Sequence, residues 1–94
     1  MHGEYKTPGG KLVIADFEVE AGHLRQVMIS GDFFLYPDSA LASISGALEG
    51  LDASLSEAEY ADRIRAGMQA GAQLVGTSPE GIAIAIRRGL VDPA

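Results

Sequence analysis

The chain is 94 residues long, 47% hydrophobic and 21% charged, with a formal net charge of −6, two histidines and no cysteine. That composition describes one small domain spanning residues 1–94, without thiolate chemistry or a disulfide framework, and His2 and His23 cannot build a structural zinc site by themselves. Charge is segregated, at +1 over residues 1–15, −9 over 16–62 and +2 over 63–94, and an acidic centre of this kind repels phosphate and argues against nucleic-acid binding.

The opening residues "MHGEYKTPGG" lack the apolar h-region and cleavage site of a secretory signal, and no apolar run approaches the roughly 18 residues of a membrane span. A cytoplasmic protein that does not enter membranes is the expectation. "GEYK" is short enough to be an edge strand, and Pro8, with no N–H to donate, suits the corner that follows it. In "KLVIADFEVE" the set Val13, Ala15, Phe17 and Val19 alternates with polar residues toward its end, the period of a half-buried strand. "EAGH" then reverses the chain into "LRQVMIS", which predicts a hairpin. Its alternation slips between Leu24 and Val27, where two polar residues intervene, so a bulge or a late strand start is expected there.

From "YPDSA" onward the spacing turns helical. Asp38 or Ser39 is placed to cap a first helix carrying Leu41, Ile44, Leu48 and Leu51 inward and ending near Gly50. "SEAE", residues 56–59, matches a capping box and predicts a second helix with Tyr60, Ile64, Met68 and Leu74 inward and Arg63 and Arg65 in water. "TSPEG" offers Ser78 as cap, Pro79 at the first helical position and Glu80 near the positive helix end, opening a third helix expected to stop at Gly89. Strands followed by helices predict an α+β fold, a small antiparallel sheet of about three strands with three helices packed on one face.

Two stretches stand apart. "TPGGKLV", residues 7–13, is no Walker loop: it lacks the first glycine at the required distance, has leucine where Ser or Thr binds magnesium, and leads into a strand. Gly9 and Gly10 are accounted for by a tight turn, whereas a turn has no need of Lys11. "GDFFLYP", residues 31–37, puts Phe33 and Leu35 on one side of an extended segment and Phe34 and Tyr36 on the other. Either both sides are covered, by sheet and by helix, or one set forms an apolar patch for a partner. Neither a nucleophile elbow nor a histidine–acid pair is legible, so no unaided active site is expected.

Taken together, "GGKLV", the strand pair closing in "ISGDFFLYP", the "LEGL" helix end and the final "SPEGIAIAIRRGL" resemble the C-terminal accessory domain of lipoate-protein ligases, over roughly residues 5 to 90. In that family a large α/β domain binds ATP and lipoate, forms lipoyl-adenylate and passes the lipoyl group to a lysine of a lipoyl-carrier domain, while the small domain, fused or separate, assists adenylation. The resemblance implies a non-catalytic accessory subunit that binds no cofactor alone and works with ATP, magnesium and lipoate in a complex with a catalytic subunit. The large domain's ligand motif and catalytic lysine have no counterpart here. With Met1 just ahead of the first strand, the expectation is the two-chain form, the alternative being a domain excised from a longer ligase. By the same resemblance Lys11, with Gly9 and Gly10, would face the adenylate or ATP, and Phe34, Tyr36 and Asp32 would meet the catalytic subunit. The family is similar in fold to the scaffold and sulfur-acceptor proteins of iron–sulfur assembly, but those act through cysteine, which this chain lacks. The competing expectation is a protein-binding adaptor with no ligase role.

Overall fold

A computed structural model describes residues 1–68 and 70–91. In chain order its elements are β1 (His2–Lys6), β2 (Leu12–Glu20), β3 (His23–Gly31), β4 (Phe34–Tyr36), α1 (Ser39–Leu48), α2 (Glu57–Gly67), β5 (Gln73–Val75) and α3 (Pro79–Val91). The first three strands form an antiparallel sheet in the order β1-β2-β3, and β4 pairs with β5 in a separate antiparallel ribbon. Among the described residues no helix is long and apolar enough to cross a membrane.

Local chemistry accounts for the sheet. Between β1 and β2, Thr7–Pro8–Gly9–Gly10 is a β-turn closed by the Gly10 N–H on the Thr7 carbonyl at 2.8 Å, with Gly9 at φ +68°. Proline second and glycine third is the type II pattern, and the positive φ is what calls for glycine. Between β2 and β3 the two-residue turn Ala21–Gly22 has both residues at positive φ, 52° and 81°, the sense of turn that matches strand twist. The expected bulge is present. Asp16 pairs with Met28 and Glu18 with Arg25, so Phe17 alone faces Gln26 and Val27, and Gln26 adopts φ +54°. The Val27 N–H donates instead to the Glu49 carboxylate at 2.5 Å.

One face of this sheet carries Val13, Ala15, Phe17, Leu24, Val27 and Ile29, all buried. Helix α3 lies along β1 and β2, α1 packs on β3, and α2 packs between α1 and α3, which is the α+β arrangement expected from sequence. The capping box of α2 is complete, with the Glu59 N–H on Ser56 Oγ at 3.2 Å and the Ser56 N–H on Glu59 Oε1 at 3.1 Å. Ser78 Oγ likewise accepts the Gly81 N–H at 3.2 Å at the start of α3.

Several expectations are corrected. The β4–β5 ribbon was not foreseen, and Leu74, expected on α2, lies in β5, although it still packs toward the core. Asp38 occupies the N-cap position of α1 with helical angles (φ −53°, ψ −36°) and makes no side-chain capping bond, because its backbone has not taken the extended form that aims a cap at the N2 or N3 amide. Leu41 stays exposed while Ala40, Ile44 and Leu48 are buried. Arg65 is not given over to water: it pairs with Glu80 and with Asp62. Helix α3 runs through Gly89 to Val91, and a Cβ on Gly89 would lie 2.9 Å from Phe17 Cε1 and 3.2 Å from the Gly3 nitrogen. That glycine serves a close crossing of α3 over β1 and does not end the helix.

Candidate functional site

The two stretches singled out in the sequence, far apart in the chain, meet at one end of the molecule, and β5 joins them. The Lys11 N–H donates to the Gly76 carbonyl at 2.7 Å, one residue beyond Val75, and Val75 is the cross-strand partner of Phe34. On the other side, the Asp32 N–H donates to the Leu12 carbonyl at 3.1 Å, tying the start of the aromatic segment to the start of β2. Thr7 Oγ1 donates to Thr77 Oγ1 at 2.9 Å across the same junction.

The loop around Lys11 is held rather than loose. The Lys6 ammonium donates to the Gly10 carbonyl at 2.6 Å, and the Thr7 N–H reaches the Lys11 carbonyl at 3.1 Å. A Cβ at Gly10 would collide with the Gly76 carbonyl oxygen, so the second glycine permits a close approach of two backbones while the first serves the turn itself. Lys11 is exposed, its stem lies over Gly76, and its ammonium has no hydrogen-bond or ion-pair partner among the described residues. The other lysine is thus spent on the turn and Lys11 is left facing solvent, where a lysine can act as a point charge toward an anion.

The aromatic segment divides as its alternation requires. Phe33 and Leu35 pack against the core, whereas Phe34 is 69% and Tyr36 72% exposed. A segment covered on both sides is therefore excluded. Across the ribbon, Phe34 faces Val75, which is 56% exposed, and Tyr36 faces Gln73, so the outer face presents two aromatics and a valine side by side. Beside it, between the end of β3, β4 and α1, opens a cleft of about 420 Å³ walled by Ile29, Phe33, Phe34, Leu35 and Leu41, with Asp38 in its lining. Val75, Gly76 and Leu41 belong to this end of the molecule and were missed from sequence. The only signal was the short run "QLVG", three strand-forming positions closed by a glycine, too brief to distinguish from a loop.

Elsewhere several charged side chains are engaged within the fold. Arg88 lies over the Tyr5 ring at 4.9 Å and donates to the Glu4 carbonyl at 3.1 Å, and Arg87 donates to the Leu55 carbonyl at 3.3 Å. On the open face of the sheet, His2 Nε2 meets Glu4 Oε2 at 2.7 Å and His2 Nδ1 meets Asp16 Oδ1 at 2.5 Å. These hydrogen bonds, the one to Glu4 first, raise the His2 pKa above its ordinary value. Asp52 is pulled below its ordinary value by the Ser54 hydroxyl and then the Ser54 N–H. Among the described residues no group of three or more His, Asp or Glu side chains is arranged to hold a metal ion.

No protein-family model matches the chain, and no curated protein matches its sequence. In fold the chain is similar to one in a structural study of an archaeal lipoylation system, a bipartite lipoate protein ligase and its E2 lipoyl domain from Thermoplasma acidophilum. The TM-score is 0.72 at 22% identity, with 93% of each chain covered.

Proposed function

We propose that this chain is the non-catalytic accessory subunit of a two-chain lipoate-protein ligase, needed for ATP-dependent activation of lipoate to lipoyl-adenylate by a separate catalytic subunit. The observation that carries this reading is the end-to-end likeness in fold, over 93% of both chains, to a member of a bipartite ligase system. The exposed ladder of Phe34, Tyr36 and Val75 supports it, since aromatic surface left in water on so small a domain suits a partner. In the complex the ladder and Asp32 meet the catalytic subunit, and Lys11 reaches from its turn toward the phosphate of ATP or of the adenylate. A positioned ammonium stabilises charge that builds up in the transition state without reacting itself, so a domain with no active site can accelerate a step. Gly9 and Gly10 contribute by holding the turn from which Lys11 projects. ATP, magnesium and lipoate are held in the complex, and the pair works in the cytoplasm.

The role is that of a lid. Adenylation gains from a closed site that excludes water, while transfer needs a site open to a whole carrier domain. The catalytic subunit given preformed lipoyl-adenylate should therefore lipoylate its carrier without this chain, and given ATP and lipoate it should do so poorly until the chain is added. If the chain accelerates transfer from preformed adenylate as much as the complete reaction, it serves carrier docking and the lid role is wrong. If it accelerates neither, the ligase reading fails and an adaptor role takes its place.

A further inference from the structure

Residues 26–62 contain Asp32, Asp38, Glu49, Asp52, Glu57, Glu59 and Asp62 and not one lysine or arginine. The cleft beside the aromatic ribbon is built wholly from this stretch. Its volume, about 420 Å³, is far more than a missing methyl group would leave and lies at the small end of the range for binding clefts. Its walls are mostly aliphatic and aromatic, and of its two exposed apolar wall residues, Phe34 belongs also to the outer ladder while Leu41 lies outside the core because Ala40 takes the inward position on α1.

The charged residue in the lining is acidic. Asp38 lines the cleft and has forgone the bond its N-cap position offers. Asp32 sits between the lining residues Gly31 and Phe33. Neither carboxylate has a hydrogen-bond or ion-pair partner among the described residues. A ligand with its own carboxylate would meet the like charge of Asp38 in the lining, with Asp32 close by in the chain, whereas an apolar group with a cation beside it would satisfy the walls and Asp38 together. We infer that this cleft binds an aliphatic or aromatic side chain, flanked by lysine or arginine, presented by a partner polypeptide. The inference rests on the cleft alone and stands or falls apart from the ligase reading.

The test is an NMR titration of the isotope-labelled chain with short synthetic peptides in which a central leucine is flanked by lysines, in which those lysines are replaced by glutamates, and in which the leucine is replaced by serine. The lysine–leucine peptide should shift the amides of Ser30, Gly31, Phe34 and Leu41, more strongly at low than at high salt, and the other two peptides should not. D38N and D32N should each weaken the binding by about two- to fivefold, as exposed charge pairs do, and L41A should weaken it without removing the salt dependence. All three positions are exposed, so these variants should fold as the parent does. No shift at millimolar peptide, equal binding of the glutamate peptide, or shifts confined to the open face of the sheet would overturn the inference. So would octanamide alone reproducing the shifts at the same concentration, which would make the cleft a small-molecule site.

Discussion

Replacing Phe34 by serine separates folding from partner binding, because most of its ring is in water in the isolated chain. A phenylalanine buries about 150–250 Å² when fully covered. At 69% exposure, roughly 100–170 Å² remains for a partner to cover, worth about 2.5–4 kcal/mol at ~25 cal/mol per Å². Ordering of the interface consumes part of that, so Phe34→Ser should weaken binding to the catalytic subunit by about 2–3 kcal/mol, or roughly 30–150-fold in Kd. The monomer should lose only about 1–2 kcal/mol, from the third of the ring already covered. Phe33 is the control: it packs against the core, so Phe33→Ser should cost the monomer about 2–4 kcal/mol, toward the lower end of the range for core aromatics. Calorimetry of the complex and denaturant unfolding of each variant give the two orderings, and they should be opposite. A Phe34 variant that binds normally, or one that unfolds as readily as the Phe33 variant, refutes the assignment of the ladder to the interface.

Lys11→Ala should leave thermal unfolding unchanged, since the side chain is exposed and unpaired, but should slow lipoyl-adenylate formation by the assembled pair by about 1–3 kcal/mol, the scale of a charged hydrogen bond; a lower Tm with full activity would make it structural. Gly3→Ala and Gly46→Ala should move stability in opposite directions. A Cβ at Gly3 would collide with the Ala85 carbonyl and lie 2.5 Å from the Gly89 nitrogen, so overpacking of about 1–3 kcal/mol should lower Tm by roughly 5–20 °C. A Cβ at Gly46 meets nothing, and alanine within an exposed helix position should add about 0.5–1 kcal/mol. His2 should titrate by NMR above its unfolded value of about 6.5, because its two carboxylate partners favour the imidazolium. Its contribution to stability should be complete below that pH and be lost as pH rises through the folded midpoint, and Glu4→Gln should bring the midpoint back down.

What was legible in the sequence was local. The Ala21–Gly22 turn, the slip in alternation that becomes the Gln26 bulge, the Ser56–Glu59 box and the Ser78 cap each depend on residues within a few positions of one another, and each formed as read. What was not legible depends on distant partners. The ribbon joins three residues near position 35 to three near position 74, and strands that short carry no periodicity. Gly89 reads as a helix stop until Gly3 is known to lie against it. Leu41 shares the helical spacing of Ile44 and Leu48, yet Ala40, four residues before Ile44, fills the inward position instead. Of the candidate site, the division between Phe33 and Phe34 followed from alternation, but the tie of Lys11 to the ribbon through Gly76 was not legible.

That adjacency bears on how the proposed accessory subunit would act on the reaction of its partner. Lys11 is tied by its own backbone to Gly76, Gly76 follows the residue that pairs with Phe34, and Thr7 and Thr77 bond across the same seam. The backbone of Lys11, from which the ammonium projects, and the aromatic ladder are therefore held next to each other by main-chain hydrogen bonds and one threonine pair. A partner that covers the ladder would bring the base of the Lys11 side chain to one position on its surface, so that much of the entropy of placing the charge would be lost when the interface forms and not during the chemical step. Opening the seam should then disturb chemistry more than affinity. Gly10→Ala, which forces the loop away from the Gly76 carbonyl, leaves both Phe34 and Lys11 in the chain but breaks their relation. Its complex should form with nearly the parent affinity and yet adenylate lipoate as slowly as the Lys11→Ala pair. Loss of affinity with adenylation intact at saturating subunit would mean that the ladder depends on the loop for its shape and that Lys11 does not act through the seam.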